Sequence, residues 1–88
     1  MKTIWKFEFA GDFGPFPLNM PEGAEILSVQ VQRNGRPCLW ALIPDQDAAP
    51  KIRTFWLFGT GWSIGIEHLQ YIGTFQFYSY ICHLFEEG

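Results

Sequence analysis

No apolar run in the chain approaches the ~20 residues that span a bilayer, so a membrane-spanning helix is excluded. Positive charge is scarce as well: six Lys and Arg stand against nine Asp and Glu, a net charge of −3. A duplex-binding protein carries a basic face to displace counterions from phosphates, so duplex nucleic acid is not expected as a ligand. The acidic excess is too thin, spread along 88 residues, for the dense negative surface of a DNA mimic. Lys6 and Glu8 interrupt the apolar stretch of MKTIWKFEFAG before a signal-peptide core develops, and a cytoplasmic location is expected. In that reducing compartment the two cysteines, Cys38 and Cys82, are expected as buried thiols rather than a disulfide. No block of eleven or more residues keeps a 3.6-residue period through to a cap, which argues against helices. Internal repeats and low-complexity tracts are absent.

What the chain has in excess is aromatic surface: nine Phe, four Trp and three Tyr, 18% of the residues. Each ring buries roughly 150–250 Å². Small domains hide only about 60% of the surface their unfolded chains expose, so some of these rings are expected outside, where they form a patch for a partner, a ligand or a second copy. At this length one hydrophobic core is available, and residues 1–88 are expected to form a single domain.

Period-two alternation recurs in short blocks between turn residues, which predicts about seven antiparallel strands in a small sandwich or partly open barrel. Thr3 to Phe9 sets Trp5, Phe7 and Phe9 against Lys6 and Glu8. GDFGPFP reads as a turn, followed by a short edge strand around Leu18 and Met20 between Pro17 and Pro21. Ile26 to Gln32 sets Leu27, Val29 and Val31 against Ser28, Gln30 and Gln32. Asn34-Gly35 then predicts a tight primed hairpin turn into Cys38–Ile43, a strand apolar on both faces and therefore covered on both. A loop over residues 44–51 leads to Ile52–Phe58, again apolar on both faces apart from Arg53 and Thr54, with Lys51 and Arg53 as charged guards of an edge. GTGWSIG is the most permissive segment. Leu69–Phe77 and Tyr80–Phe85 form a terminal hairpin about Tyr78-Ser79, with Gly73 marking a bulge or a close backbone approach.

Chemistry is sparse. Cys82 and His83 are neighbours on a strand and point to opposite faces, and nothing in the sequence brings His68 to Cys82. Zinc sites show close ligand pairs that are missing here, so no metal site is expected. Asp45 with Asp47 lies on a loop and Glu86 with Glu87 at a fraying end, neither rigid enough for acid–base work. GTGWSIG lacks the lysine and the following helix of a phosphate-binding loop. No catalytic or cofactor-binding residue is assigned, and the chain is not expected to be an enzyme. Arg33 and Arg36, with Arg53, are the residues able to pin an anion by bidentate contacts.

The blocks IWKFEF, MPEGAEILSVQVQ, PCLWALI, FGTG, YIGTFQ and HLF occur here in the order in which they occur in a family of small uncharacterised proteins of bacteriophages and prophages, which this chain resembles over nearly its whole length. No catalytic motif is among these blocks, and the resemblance implies no established activity or cofactor. After FGTG it tends to continue with His and Pro, where this sequence has Trp62 and Ser63, so Trp62 is a candidate surface residue without a family-wide role. The resemblance implies a phage accessory protein that acts in the host cytoplasm by binding. The expectation is a small homo-oligomer docking on a host or phage protein. The runner-up is a sequestrant of a host nucleotide signal, with bases stacked on aromatic rings and phosphate met by arginine.

Overall fold

Side chains of seven strands point alternately to the two faces of each sheet, and one set from each sheet lies between the two layers. The computed structural model describes residues 1–88. The strands are β1 (Thr3–Glu8), β2 (Gly14–Pro21), β3 (Glu25–Val31), β4 (Pro37–Ile43), β5 (Pro50–Gly59), β6 (Leu69–Phe77) and β7 (Tyr80–Glu87). Sheet one has the order β1-β4-β3 and sheet two the order β2-β5-β7-β6, with every neighbouring pair antiparallel. They stack as an open two-layer sandwich, which settles the choice between sandwich and barrel. No helix is long and apolar enough to cross a membrane.

Sheet one contributes Val29, Leu39, Ala41 and Ile43 to the interior, and sheet two contributes Met20, Phe55, Leu57, Phe75, Cys82 and Leu84. Phe9 bridges the layers, stacking on Phe16 at 4.8 Å and meeting Phe75 edge-on at 6.3 Å. Both cysteines are buried and free, as expected. The strand apolar on both faces, β4, is the central strand of sheet one, with Pro37, Cys38, Leu39, Ala41 and Ile43 all buried.

Four local expectations need correction. GDFGPFP is not simply a turn, because β2 begins at Gly14 and pairs with β5 along eight residues. Pro15, Pro17 and Pro21 share one parity on this edge strand. Only alternate residues of an edge strand donate to the ladder, so prolines of one parity are tolerated there. In β3 the register shifts between Ile26 and Ser28, a bulge that leaves Leu27 46% exposed and brings Ile26 against the core instead. At Asn34-Gly35 only Gly35 has a positive φ, of 82°. The Gly35 N–H donates to the Gln32 carbonyl at 2.9 Å and the Gln32 N–H to the Arg36 carbonyl at 2.8 Å. That pattern is an ordinary turn closed by a left-handed glycine; the hairpin is present, without the primed geometry. Finally, β5 is flanked by β7 only from Phe55 to Gly59, so Lys51 stands on a stretch paired with β2 alone, while Arg53 is turned to Glu86 instead of guarding an edge.

Gly73 fulfils both expectations placed on it. The β6–β7 register shifts between Tyr71 and Gly73, and a methyl group on Gly73 would lie 2.8 Å from Val29 Cγ1. Sheet two thereby approaches β3 at this corner more closely than any side chain allows.

Candidate binding faces

Residues of β5 pointing away from Phe55 and Leu57 are Ile52, Thr54, Trp56 and Phe58, and register extends their rows across the sheet. Pro15 lies opposite Trp56, Trp56 opposite Phe85, and Phe85 opposite Tyr71. One row of apolar side chains therefore crosses all four strands. Trp56 and Phe58 stack nearly parallel, 5.8 Å between centroids and 6° apart. Phe85 meets Phe58 edge-on at 5.7 Å and Tyr71 at 5.5 Å. Ile52 and Tyr71 are 70% and 57% exposed, Trp56 and Phe85 are half-buried, and Phe58 is buried beneath its neighbours.

Polar atoms on the face are held locally. Trp56 Nε1 donates to Glu87 Oε1 at 2.9 Å. His83, beside Phe58, has Thr60 Oγ1 2.8 Å from Nε2 and Thr74 Oγ1 3.0 Å from Nδ1, and the Tyr71 hydroxyl lies 2.7 Å from Thr74 Oγ1. Hydroxyls both donate and accept, so either neutral tautomer of His83 is fully satisfied. Neither Lys nor Arg lies on this face.

Arg53 has the opposite orientation, inward at one end of the sandwich. Its Nε and Nη2 donate to the two carboxylate oxygens of Glu86 at 2.5 and 2.7 Å, and Nη1 donates to the Ala24 carbonyl at 2.5 Å. This fork ties sheet two to the start of β3. Arg33 and Arg36 lie at the other end of β3, roughly 25 Å or more away at ~3.3 Å per residue. The structure thus keeps Arg33 and Arg36 on one turn and removes Arg53 from any shared anion clamp.

Trp62 caps the end of β5. Its indole covers Gly59, where a methyl group would lie 2.8 Å from Nε1, and it packs on Phe13 at 4.7 Å. Cys82 points into the core while His83 points out; His68 sits beyond the start of β6, roughly 20 Å along the strand from the partner of Cys82. Burial raises both thiols above their ordinary pKa of 9.0; at Cys38 the Glu8 carboxylate adds to the rise and the Lys6 ammonium opposes it. No three metal-ligating side chains converge.

Sequence reasoning missed the aromatic row itself. The signal was the second apolar face of Ile52–Phe58, but only the register adds Phe85 and Tyr71 to it.

The fold and this surface define a class: a two-sheet antiparallel sandwich that presents a charge-poor aromatic sheet face. Within it, the chain belongs to the family described as a domain of unknown function, DUF7352, which matches residues 1–88. No curated protein and no solved structure matches it.

Proposed function

We propose that the chain works by binding without turnover, and that two copies pair face to face through the outer surface of sheet two. The aromatic row carries this reading. Interface cores are depleted of charge and enriched in aromatic residues, and this face has that composition with Ile52 and Tyr71 exposed on it. The aromatic row itself carries no charged side chain, so two copies stacked row on row oppose no like charges there, as a self-complementary two-fold contact requires. Four strands about 4.8 Å apart, eight to ten residues long at about 3.3 Å each, present on the order of 500 Å². Two such faces bury on the order of 1,000 Å², the lower bound for a specific interface.

The resemblance to phage-encoded proteins supports a non-enzymatic accessory role in the host cytoplasm, with the pair docking on a host or phage protein. Sedimentation equilibrium at micromolar concentration tests the pairing. A particle of twice 10.2 kDa is expected, and a monomer throughout that range rejects it.

A further inference from the structure

The β3–β4 and β6–β7 turns meet at one end of the sandwich around an open groove of about 420 Å³, bordered by Phe9, Asn34, Arg36, Pro37, Phe77 and Tyr78. That volume suits a small ligand. Its only charged side chain is Arg36. The groove at the opposite end, about 480 Å³, differs: Lys51 and Arg53 share it with Glu22, Glu86 and Glu87, and Arg53 is already bound. Arg36 has no such commitment. Its one acidic neighbour is Glu8 at 4.0 Å, with the arginine side chain 70% exposed. A contact of that kind yields to a better-placed anion. Arg33, exposed on the same turn, makes no ion pair.

Tyr78 supplies a second, independent observation. It has a φ of 56°, in the left-handed region, at the first position of a two-residue hairpin turn where glycine is favoured. Yet the residue is 77% exposed, and its ring packs beside Phe77 at 4.7 Å. The Gln76 side-chain amide donates to the Tyr78 carbonyl and helps hold this turn. A strained residue whose side chain the core does not use points to a role for the exposed ring.

We propose that this groove binds a free nucleoside phosphate, the base stacked on Tyr78 and the phosphate held by Arg36. A planar ring meets the base and a guanidinium fork meets the phosphate, so the pair selects ligands that carry both. Two arginines on a chain of net charge −3 make too few phosphate contacts to hold a strand, which favours a mononucleotide. The groove lies at the end of the sandwich, off the outer face of sheet two, and the site does not depend on pairing.

Calorimetric titration with adenosine 5′-monophosphate, adenosine and inorganic phosphate tests this. The monophosphate should bind at least roughly tenfold tighter than either half. Arg36→Ala and Tyr78→Gly should each weaken it roughly ten- to hundredfold, while Tyr78→Phe stays within about twofold. Because glycine relieves the backbone, Tyr78→Gly should melt no lower than the parent as it loses binding. Absence of binding at millimolar monophosphate overturns the site, as does the parent's affinity retained in either Arg36→Ala or Tyr78→Gly, or a lower melting point in Tyr78→Gly. Tighter binding of a five-residue oligonucleotide overturns the free nucleotide as ligand.

Discussion

The outward faces of the two sheets arise from the same alternation, yet differ in what stands beside their apolar residues. On sheet one the central strand points Cys38, Trp40 and Leu42 outward. Their register partners on the edge strands are Glu8 and Gln30, Lys6 and Ser28, and Ile4 and Glu25. Long charged stems lie over apolar neighbours and keep their heads in water, so Trp40 and Leu42 are half-buried within the monomer. Lys6 and Glu8 also pair along that face at 3.7 Å. On sheet two the partners of Trp56 are Pro15 and Phe85, and Phe85 leads on to Tyr71. Aromatic neighbours stack on one another but leave the outermost surface apolar. Charged stems half-bury the centre of the first face and leave Ile4 exposed beside it, whereas on the second face aromatic neighbours bury Phe58, half-bury Trp56 and Phe85, and leave Ile52 and Tyr71 exposed.

The largest expected effect breaks that contrast directly. Phe85→Glu places a carboxylate in the middle of the aromatic row and should weaken pairing on the order of 100-fold or more, the scale of a central hot spot. Lys6→Glu on the other face should leave the particle mass unchanged. Sedimentation equilibrium of both variants reads this, and dissociation by Lys6→Glu would assign the interface to the wrong sheet.

Arg53→Ala asks whether the two faces depend on one interior. The Arg53 and Glu86 side chains are 19% and 16% exposed, so losing the arginine strands a largely buried carboxylate and frees the Ala24 carbonyl. A cost of about 2–3 kcal/mol is expected, reduced from that of a fully buried pair by the remaining solvent contact. Urea unfolding measures it, and a change below about 0.5 kcal/mol would show that the sheets do not need this tie.

Gly35→Val perturbs sheet one alone. Nothing lies within 4 Å of a methyl group at this position, so the penalty is the φ of 82° rather than a clash. It should cost about 1–3 kcal/mol and lower the melting temperature by several degrees. Particle mass should not change if sheet two carries the pairing.

The smallest effect comes from the thiols, one beneath the charged outer face and one in the interior. Burial raises both pKa values, so the folded chain holds these protons more tightly than the unfolded chain. Their contribution is complete below about pH 9 and is lost as pH rises through the higher folded values. Urea midpoints at roughly pH 8 and roughly pH 10.5 should therefore differ by less in Cys38→Ala/Cys82→Ala than in the parent. An identical difference in both proteins would show that the thiols do not contribute.

Much of the fold is legible in the sequence because a strand displays its environment every second residue. Thr3–Glu8 follows that rule, and Pro37–Ile43, apolar at both parities, could only be central. Where the alternation misled, a local device had intervened. The β3 bulge moved Leu27 to solvent, and an edge position admitted Pro15 and Pro17, which resembled a turn. For the candidate sites less was legible. Arg33 and Arg36 are neighbours in sequence and remain so in space. Arg53 resembles them chemically, but it lies at the opposite end of β3 with its donors consumed.

Composition determined that aromatic surface would exceed what 88 residues can bury, and spacing determined strands, hairpins and a single core. Tertiary structure decided which rings were left over. Register between strands far apart in sequence is set by side-chain packing across the interior, and only that register aligns Pro15, Trp56, Phe85 and Tyr71 in one row. It likewise brings the turn of one sheet beside the turn of the other, so that Arg36 and Tyr78 border a common groove. The free energy that fixes both arrangements comes from burying Phe55, Leu57, Leu39 and Leu84 between the layers, residues that belong to neither surface.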